Sequence, residues 1–149
     1  MKEEVYLKLA NIIKNSNNIV FFGGAGVSVP SGIPDFRSAD GIYVKAQNAK
    51  YSAEEIVSHR FFYKHPEVFY EFYISKMVNL KARPNVVHHY LASLEEKGIL
   101  KAVVTQNIDG FHQMAGSKNV LELHGSIHRN YCTKCFKAFN VDVLELGKV

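Results

Sequence analysis

The five residues Gly24-Ala25-Gly26-Val27-Ser28 stand directly behind the apolar run Ile19-Val20-Phe21-Phe22, and this juxtaposition most constrains the fold. A buried strand that ends in glycines opens a sharp turn whose N–H groups can approach a phosphate, because Gly24 and Gly26 carry no Cβ. The dinucleotide fingerprint is incomplete. Its third small residue would fall where Val29 stands, and Pro30, Ser31 and Pro34 argue against the immediate helix that such a loop ordinarily enters. The segment Ser31-Gly32-Ile33-Pro34-Asp35-Phe36-Arg37-Ser38 sharpens the signal. Its Asp35, Phe36 and Arg37 offer a carboxylate, an aromatic face and a guanidinium to whatever binds beside the phosphates.

A chain of 149 residues can bury roughly 68–70% of its unfolded surface, enough for one core. Hydrophobic residues make up 47% and charged residues 21%, which excludes a disordered chain. The net charge of +4 comes from Lys and Arg interleaved with acidic residues, so no basic stripe for specific nucleic-acid binding exists. No apolar run approaches the ~18 residues that span a bilayer, and Glu3 and Glu4 are unlike the start of a signal or transit peptide. A cytoplasmic protein with no membrane partner is expected. The pair Cys132-Thr133-Lys134-Cys135, without a secretory signal, points to metal or redox chemistry rather than a structural disulfide. Because Cys132 follows the polar Arg129-Asn130-Tyr131 rather than opening a helix behind a strand, zinc is favoured over a redox pair.

Val5, Leu9, Ile12 and Ile13 recur at helical spacing, and Asn15-Ser16-Asn17-Asn18 breaks that helix before the first strand. Ser52 with Glu55 fits a capping box, and Pro66 suits the first turn of a helix that carries Phe69, Phe72, Tyr73 and Leu80 near one face. The aromatics from Phe61 to Tyr73 are read as a small helical core first and a ligand cage second. Val87, Tyr90, Leu91 and Leu94 form another stripe, closed by Gly98, and Ile99 to Val104 reads as a second buried strand ending in Thr105-Gln106-Asn107-Ile108-Asp109. A short helix to Ala115 and Gly116 precedes a third strand, Val120 to Leu123, which presents His124-Gly125.

Strands separated by helical connections predict an α/β fold with a parallel sheet, in which ligands bind beyond the carboxyl ends of the strands. Gly24 to Arg37, Gln106 to Asp109 and His124 all lie at such ends, so one crevice can collect them. His124 is singled out as a base by this position. His59, His65, His88, His89, His112 and His128 are read as caps or surface residues.

Taken together, Gly24-Ala25-Gly26-Val27-Ser28, Gly32-Ile33-Pro34-Asp35-Phe36-Arg37, Thr105-Gln106-Asn107-Ile108-Asp109-Gly110, Glu122-Leu123-His124-Gly125 and Cys132-x-x-Cys135 resemble the sirtuins in order and spacing. Sirtuins are NAD-dependent protein lysine deacylases, and the chain looks closest to their bacterial and archaeal forms. The resemblance covers nearly the whole chain. It implies a Rossmann-like parallel sheet, incomplete here, with a small helical insertion and the start of a zinc-ribbon module. Residues 1–149 are then expected to be the N-terminal portion of a sirtuin catalytic domain, with strands near 19–23, 99–105 and 120–123. The cofactor-binding loop would span 24–50, the helical insertion 51–80 and the first half of the ribbon 129–149.

The resemblance also implies roles. Ala25, Ser28, Phe36, Arg37, Gln106, Asn107, Ile108, Asp109 and His124 match NAD-contacting positions, and Ile33, Phe36, Ile108 and Asp109 surround the nicotinamide. Gly24, Gly26 and Asp35 complete the cofactor-binding set. In sirtuins the acyl oxygen of a modified lysine attacks the anomeric carbon of the nicotinamide ribose, and nicotinamide leaves. A histidine, here His124, then helps to deprotonate a ribose hydroxyl that captures the acyl group, giving free lysine and O-acyl-ADP-ribose. Positioning by Asn107 and Asp109 is expected to dominate, since a weak neutral nucleophile must be held in line. Asp109 can accept from a carboxamide N–H, which favours nicotinamide, and Phe36 can shield the reactive carbon from water. The partners implied are proteins with acetylated or otherwise acylated lysines. Sirtuins that take acidic acyl chains carry a Tyr-x-x-Arg pair, whose counterpart here is Tyr73-Ile74-Ser75-Lys76. Loss of the guanidinium fork predicts acetyl over succinyl, against the plainer reading of a core tyrosine and a solvated lysine.

Cys132 and Cys135 would supply half of a structural zinc site with four thiolates. The second cysteine pair of the family and the strands of the adenine pocket should follow downstream, whereas this chain stops at Val149. As they stand, residues 1–149 are expected to be inactive and to self-associate through an open sheet edge. Two other readings stand beside the deacylase: a short protein that binds a ligand or partner without turnover, and an ADP-ribosyltransferase that uses the same pocket.

Overall fold

The computed structural model describes residues 2–36, 41 and 50–145. Strands β1 (Ile19–Gly23), β2 (Leu100–Thr105) and β3 (Val120–Glu122) form one sheet in the spatial order β1-β2-β3, with both pairings parallel. Phe21 stands beside Val103 and Val103 beside Val120, so these three share one face. That face packs against Leu91 and Leu94 of helix α5, introduced below, and forms the main core. On the opposite face Val20, Phe22 and Leu121 are 59%, 62% and 52% exposed. Parallel sheets are ordinarily covered on both faces, and here the described residues cover one.

Helix α1 (Lys2–Lys14) precedes β1. The helical spacing of Val5, Leu9, Ile12 and Ile13 predicts a buried stripe, yet Val5, Leu9 and Ile12 are mostly exposed and only Ile13 reaches the core. No described element lies over the rest of that stripe, so the pattern forms the helix without burying it.

Between β1 and β2 run α2 (Ala53–Ile56), α3 (His59–Lys64) and α4 (Pro66–Phe72), the last continuing into a single π turn, Tyr73–Met77. Ser52 caps α2 by accepting from the Glu55 N–H, Ser58 caps α3 by accepting from the Phe61 N–H, and Pro66 opens α4. The helix stops at Met77, so Leu80 is not on its face as the spacing predicts. Leu80 instead joins Tyr70 and Tyr73 in a second core built on Ile127, Val141 and Leu144.

Helix α5 (Val86–Glu96) departs from the expected stripe by one residue. His88, Leu91 and Leu94 are buried, while Val87 and Tyr90 face solvent. The cause is the start of the helix: Asn85 is its N-cap, and the His88 side chain accepts from the Asn85 N–H in a reciprocal capping box, which turns the His88 face inward. Gly98 closes the helix at φ 70°, with Ile99 N–H donating to the Leu94 carbonyl at 3.0 Å, and β2 follows at once.

Helix α6 (Phe111–Met114) links β2 to β3. Strands β4 (Asn130–Tyr131) and β5 (Ala138–Phe139) then pair antiparallel as a small ribbon, followed by α7 (Asp142–Glu145). No helix among the described residues is long and apolar enough to cross a membrane.

Candidate functional site

The carboxyl ends of the three parallel strands lie side by side. Gln106 N–H donates to the Gly23 carbonyl at 3.0 Å and Leu123 N–H donates to the Thr105 carbonyl at 2.9 Å, so the ladder persists into the first residues of each loop. Behind β1 the chain makes two 3-10 turns, Ala25–Val27 and Val29–Ser31, rather than a helix, in keeping with Pro30. Gly32 then adopts φ 84°, a left-handed conformation that suits glycine.

Ser28, between those turns, is 1% exposed. Its hydroxyl donates to Asp109 Oδ2 at 2.7 Å and its oxygen accepts from Asn107 Nδ2 at 3.0 Å. Asp109 Oδ1 accepts from the Phe111 N–H at 2.9 Å, and the Asn107 N–H donates to Thr105 Oγ1 at 3.0 Å. Ser28, Asn107 and Asp109 are thus joined across about eighty residues of sequence, and all three are buried. Each carboxylate oxygen keeps a further lone pair for an external donor.

His124 is exposed, and its Nδ1 lies 3.1 Å from the Gln106 carbonyl. A carbonyl only accepts, so Nδ1 carries a proton, and in the neutral ring Nε2 presents a lone pair. This tautomer suits a proton acceptor.

A cavity of about 790 Å³ opens over these groups. Ala25, Ser28, Ile33 and Phe36 line it from the first loop, Gln106, Asn107, Ile108 and Asp109 from the second, and His124 from the third. Of the other residues singled out in the sequence, Gly24 lies behind the wall, where an added Cβ would come within 3.3 Å of Gln106 Oε1. Gly26 faces open space, and Asp35 is off the lining. Arg37 falls outside the described residues.

The far wall comes from the aromatic segment that the spacing reads as core first and ligand cage second, and from the Tyr73–Lys76 pair. Phe69, Tyr70 and Tyr73 serve as core and as cavity lining at once, and Lys76 and Met77 join them from the π turn. The π turn carries no signature that spacing arguments detect, since it adds one residue to a helical turn. Burial pushes the Tyr73 phenol up to about 12, with Tyr70 adding to the effect, and burial also raises Tyr70. Both face the cavity as neutral hydroxyls. Arg129, also on the wall, is anchored by an ion pair to Glu122, which accepts from Gln113 Nε2 as well.

His88 and His112 are neither surface residues nor simple caps. They are 0% and 1% exposed, with ring centroids 4.8 Å apart, beneath the Asp109 loop. Burial lowers the His88 imidazole, with Asp109 opposing and His89 assisting. Burial, reinforced by His88 and opposed by Asp109, pushes His112 down to about 4. His88 Nε2 and both ring nitrogens of His112 have no hydrogen-bond partner among the described residues.

Cys132 and Cys135 lie on the ribbon, off the cavity lining. Backbone N–H groups of Cys135 and Lys134 directed at the Cys132 sulfur lower its thiol, with smaller help from the Cys135 side chain and the Lys134 charge against opposing burial. Phe136 N–H donates to the Cys132 carbonyl at 2.9 Å while Phe136 itself sits at φ 58°, rare for a bulky residue. This tight turn favours a thiolate at Cys132. No group of three or more His, Cys, Asp or Glu side chains among the described residues could hold a metal ion.

The sequence profile described as the Sir2 family matches residues 24–147. A curated relative from Clostridium perfringens, named NAD-dependent protein deacetylase, is 62% identical over 128 residues, covering 86% of this chain and 52% of that protein. A relative of the same name from Thermotoga maritima is 48% identical over 143 residues, covering 95% of this chain and 54% of its own length. Among solved structures, a Sir2 variant with deacetylated p53 peptide and 3'-O-acetyl ADP-ribose is similar with a TM-score of 0.84 at 44% identity, covering 95% of this chain and 56% of that one. The chain spans about half the length of the curated relatives it matches.

Proposed function

The chain belongs to the Sir2 family, and from that premise we propose that it carries the catalytic half of an NAD-dependent protein lysine deacylase. The observation that carries this reading is the convergence of three strand ends on one cavity, with the Ser28–Asp109–Asn107 network at its floor and the His124 Nε2 lone pair beside it. NAD, when bound, supplies the ADP-ribosyl group that accepts the acyl group as nicotinamide departs.

The residues of the chain do the rest. Ala25, Ser28 and the backbone behind Gly24 and Gly26 cradle the cofactor, and Gln106, Asn107, Ile108 and Asp109 orient its nicotinamide end. Asp35 and Arg37, next in the sequence, would complete the cofactor set. The buried Asp109 carboxylate has lone pairs left to hold a carboxamide N–H, and Asn107 is fixed by its bond to Ser28. Ile33 and Phe36, with Phe69 and Tyr73 opposite, make the cavity apolar enough to exclude water from the reacting carbon. His124 Nε2 takes the proton from a ribose hydroxyl, while the bond from Nδ1 to the Gln106 carbonyl holds the ring in that tautomer. The acceptor substrate is an acetylated or otherwise acylated lysine on a protein.

The preorganised Cys132–Cys135 turn fits half of a tetrahedral zinc site. Zinc there would join the ribbon to a second thiol pair and take no part in the chemistry.

The test is product analysis on the chain carried to the length of its relatives, with NAD and an acetyl-lysine peptide. Nicotinamide, free lysine peptide and O-acetyl-ADP-ribose should form in equal amounts. Free acetate with intact NAD, or ADP-ribose attached to protein without loss of acetyl, would overturn the reading.

A further inference from the structure

Asn85 caps α5 and also reaches back to a distant part of the chain. Its Oδ1 accepts from the Val87 N–H at 2.9 Å, as an N-cap should. Its Nδ2 donates to the Val27 carbonyl at 2.8 Å and to Ser31 Oγ at 2.9 Å. Those acceptors belong to the two 3-10 turns that flank Ser28, whose own backbone bonds, Val27 N–H to Gly24, Ser28 N–H to Ala25 and Ser31 N–H to Ser28, are all local. Local bonds shape a turn without fixing its place. Asn85 is itself held, because its N–H donates at 3.2 Å to Nδ1 of His88, which is fully buried.

We propose that Asn85 is a positioning residue that clamps the glycine loop onto the first turn of α5 and thereby sets Ser28 where it meets Asp109 and Asn107. Its effect on turnover rests on the deacylase reading, whereas its effect on the loop does not. The requirement is for an amide. Aspartate has the same shape and is an equally good N-cap, but it offers no donor and sets a carboxylate against the Val27 carbonyl. Serine also caps, yet it cannot span to both acceptors.

The two roles separate in the variants Asn85→Asp and Asn85→Ser. Amide exchange of Val27, Ser28 and Ser31 in the chain should accelerate about tenfold in both, while α5 keeps its protection from Leu91 to Glu96. In the chain carried to the length of its relatives, KM for NAD should rise about tenfold with KM for the acyl-lysine peptide unchanged, as expected when loop placement and not fold is lost. Wild-type exchange in the loop together with a wild-type KM for NAD would overturn the proposal. So would loss of protection throughout α5 in both variants, which would assign Asn85 to capping alone. A wild-type chain without turnover would sink the deacylase reading and leave the exchange comparison to decide the clamp.

Discussion

Acid should destabilise this fold through His112 at a pH where most proteins are still comfortable. The unfolded chain protonates this imidazole near 6.5, whereas in the fold it resists down to about 4, because the ring is buried against His88 and neither nitrogen has a partner among the described residues to stabilise the added proton. The sign follows from linkage. Above pH 6.5 both states hold a neutral ring and nothing is lost. Between pH 6.5 and about 4 the unfolded chain binds a proton that the folded chain refuses, so stability falls as pH falls. At 1.36 kcal/mol for each unit the full penalty is about 3 kcal/mol with the opposing pull of Asp109 already included, and water entering the site reduces it to about 2 kcal/mol. His88 acts in the same direction. Urea unfolding of wild type and of His112→Phe, each at pH 8 and pH 5, isolates the effect, since other titrating groups cancel in the difference. Phenylalanine keeps the tilted contact that His112 makes with Phe21. Wild type should lose about 1–2 kcal/mol more than the variant between the two pH values. Parallel losses, or a His112 ring that titrates near 6.5 by NMR, would refute the reasoning.

Three further outcomes follow from the same geometry. Acetyl-lysine peptides should be turned over in preference to succinyl-lysine peptides, because Lys76 on the cavity wall lacks the planar fork that matches a carboxylate, and equal kcat/KM for the two would contradict this. Residues 1–149 alone should self-associate and bind NAD weakly, given the exposed Val20, Phe22 and Leu121 face, and light scattering that shows a monomer at all concentrations would count against it. The same chain should take up one Zn²⁺ per two copies through paired Cys132 and Cys135 thiolates, and Cys132→Ser should abolish that uptake, as metal analysis of the purified protein will show.

The sheet and its binding edge were legible because they rest on patterns that survive without tertiary context. Apolar runs at Ile19–Phe22 and Ile99–Val104, each ending in glycine or polar residues, specify buried strands, and the groups that chemistry needs stand at their ends. Less was legible where packing decides. Val5, Leu9 and Ile12 have the period of a buried helix face but nothing described lies over them, so periodicity alone overstates burial. His88 was read as a capped or surface group, yet it is both a cap partner and a core residue, because the capping box seats its ring on the buried side of α5 beside Leu91. Phe69, Tyr70 and Tyr73, read as core first and ligand cage second, are both at once, whereas no local signal marks the π turn after Phe72, where the helix takes on an extra residue. The clamp through Asn85 joins residues more than fifty positions apart and could be seen only in the fold.

His124 acts as a base whose role is separable from cofactor binding. Its ring meets the Gln106 carbonyl through Nδ1, and the residue lines the cavity from the end of β3 rather than from the glycine loop. Turnover of an acetyl-lysine peptide and NAD affinity should therefore be measured side by side for wild type and His124→Ala in the chain carried to the length of its relatives. Deacetylation is predicted to fall by ~10²–10⁴-fold while Kd for NAD changes by no more than a few-fold. Undiminished turnover in His124→Ala, or a loss of NAD affinity that matches the loss of rate, would contradict it.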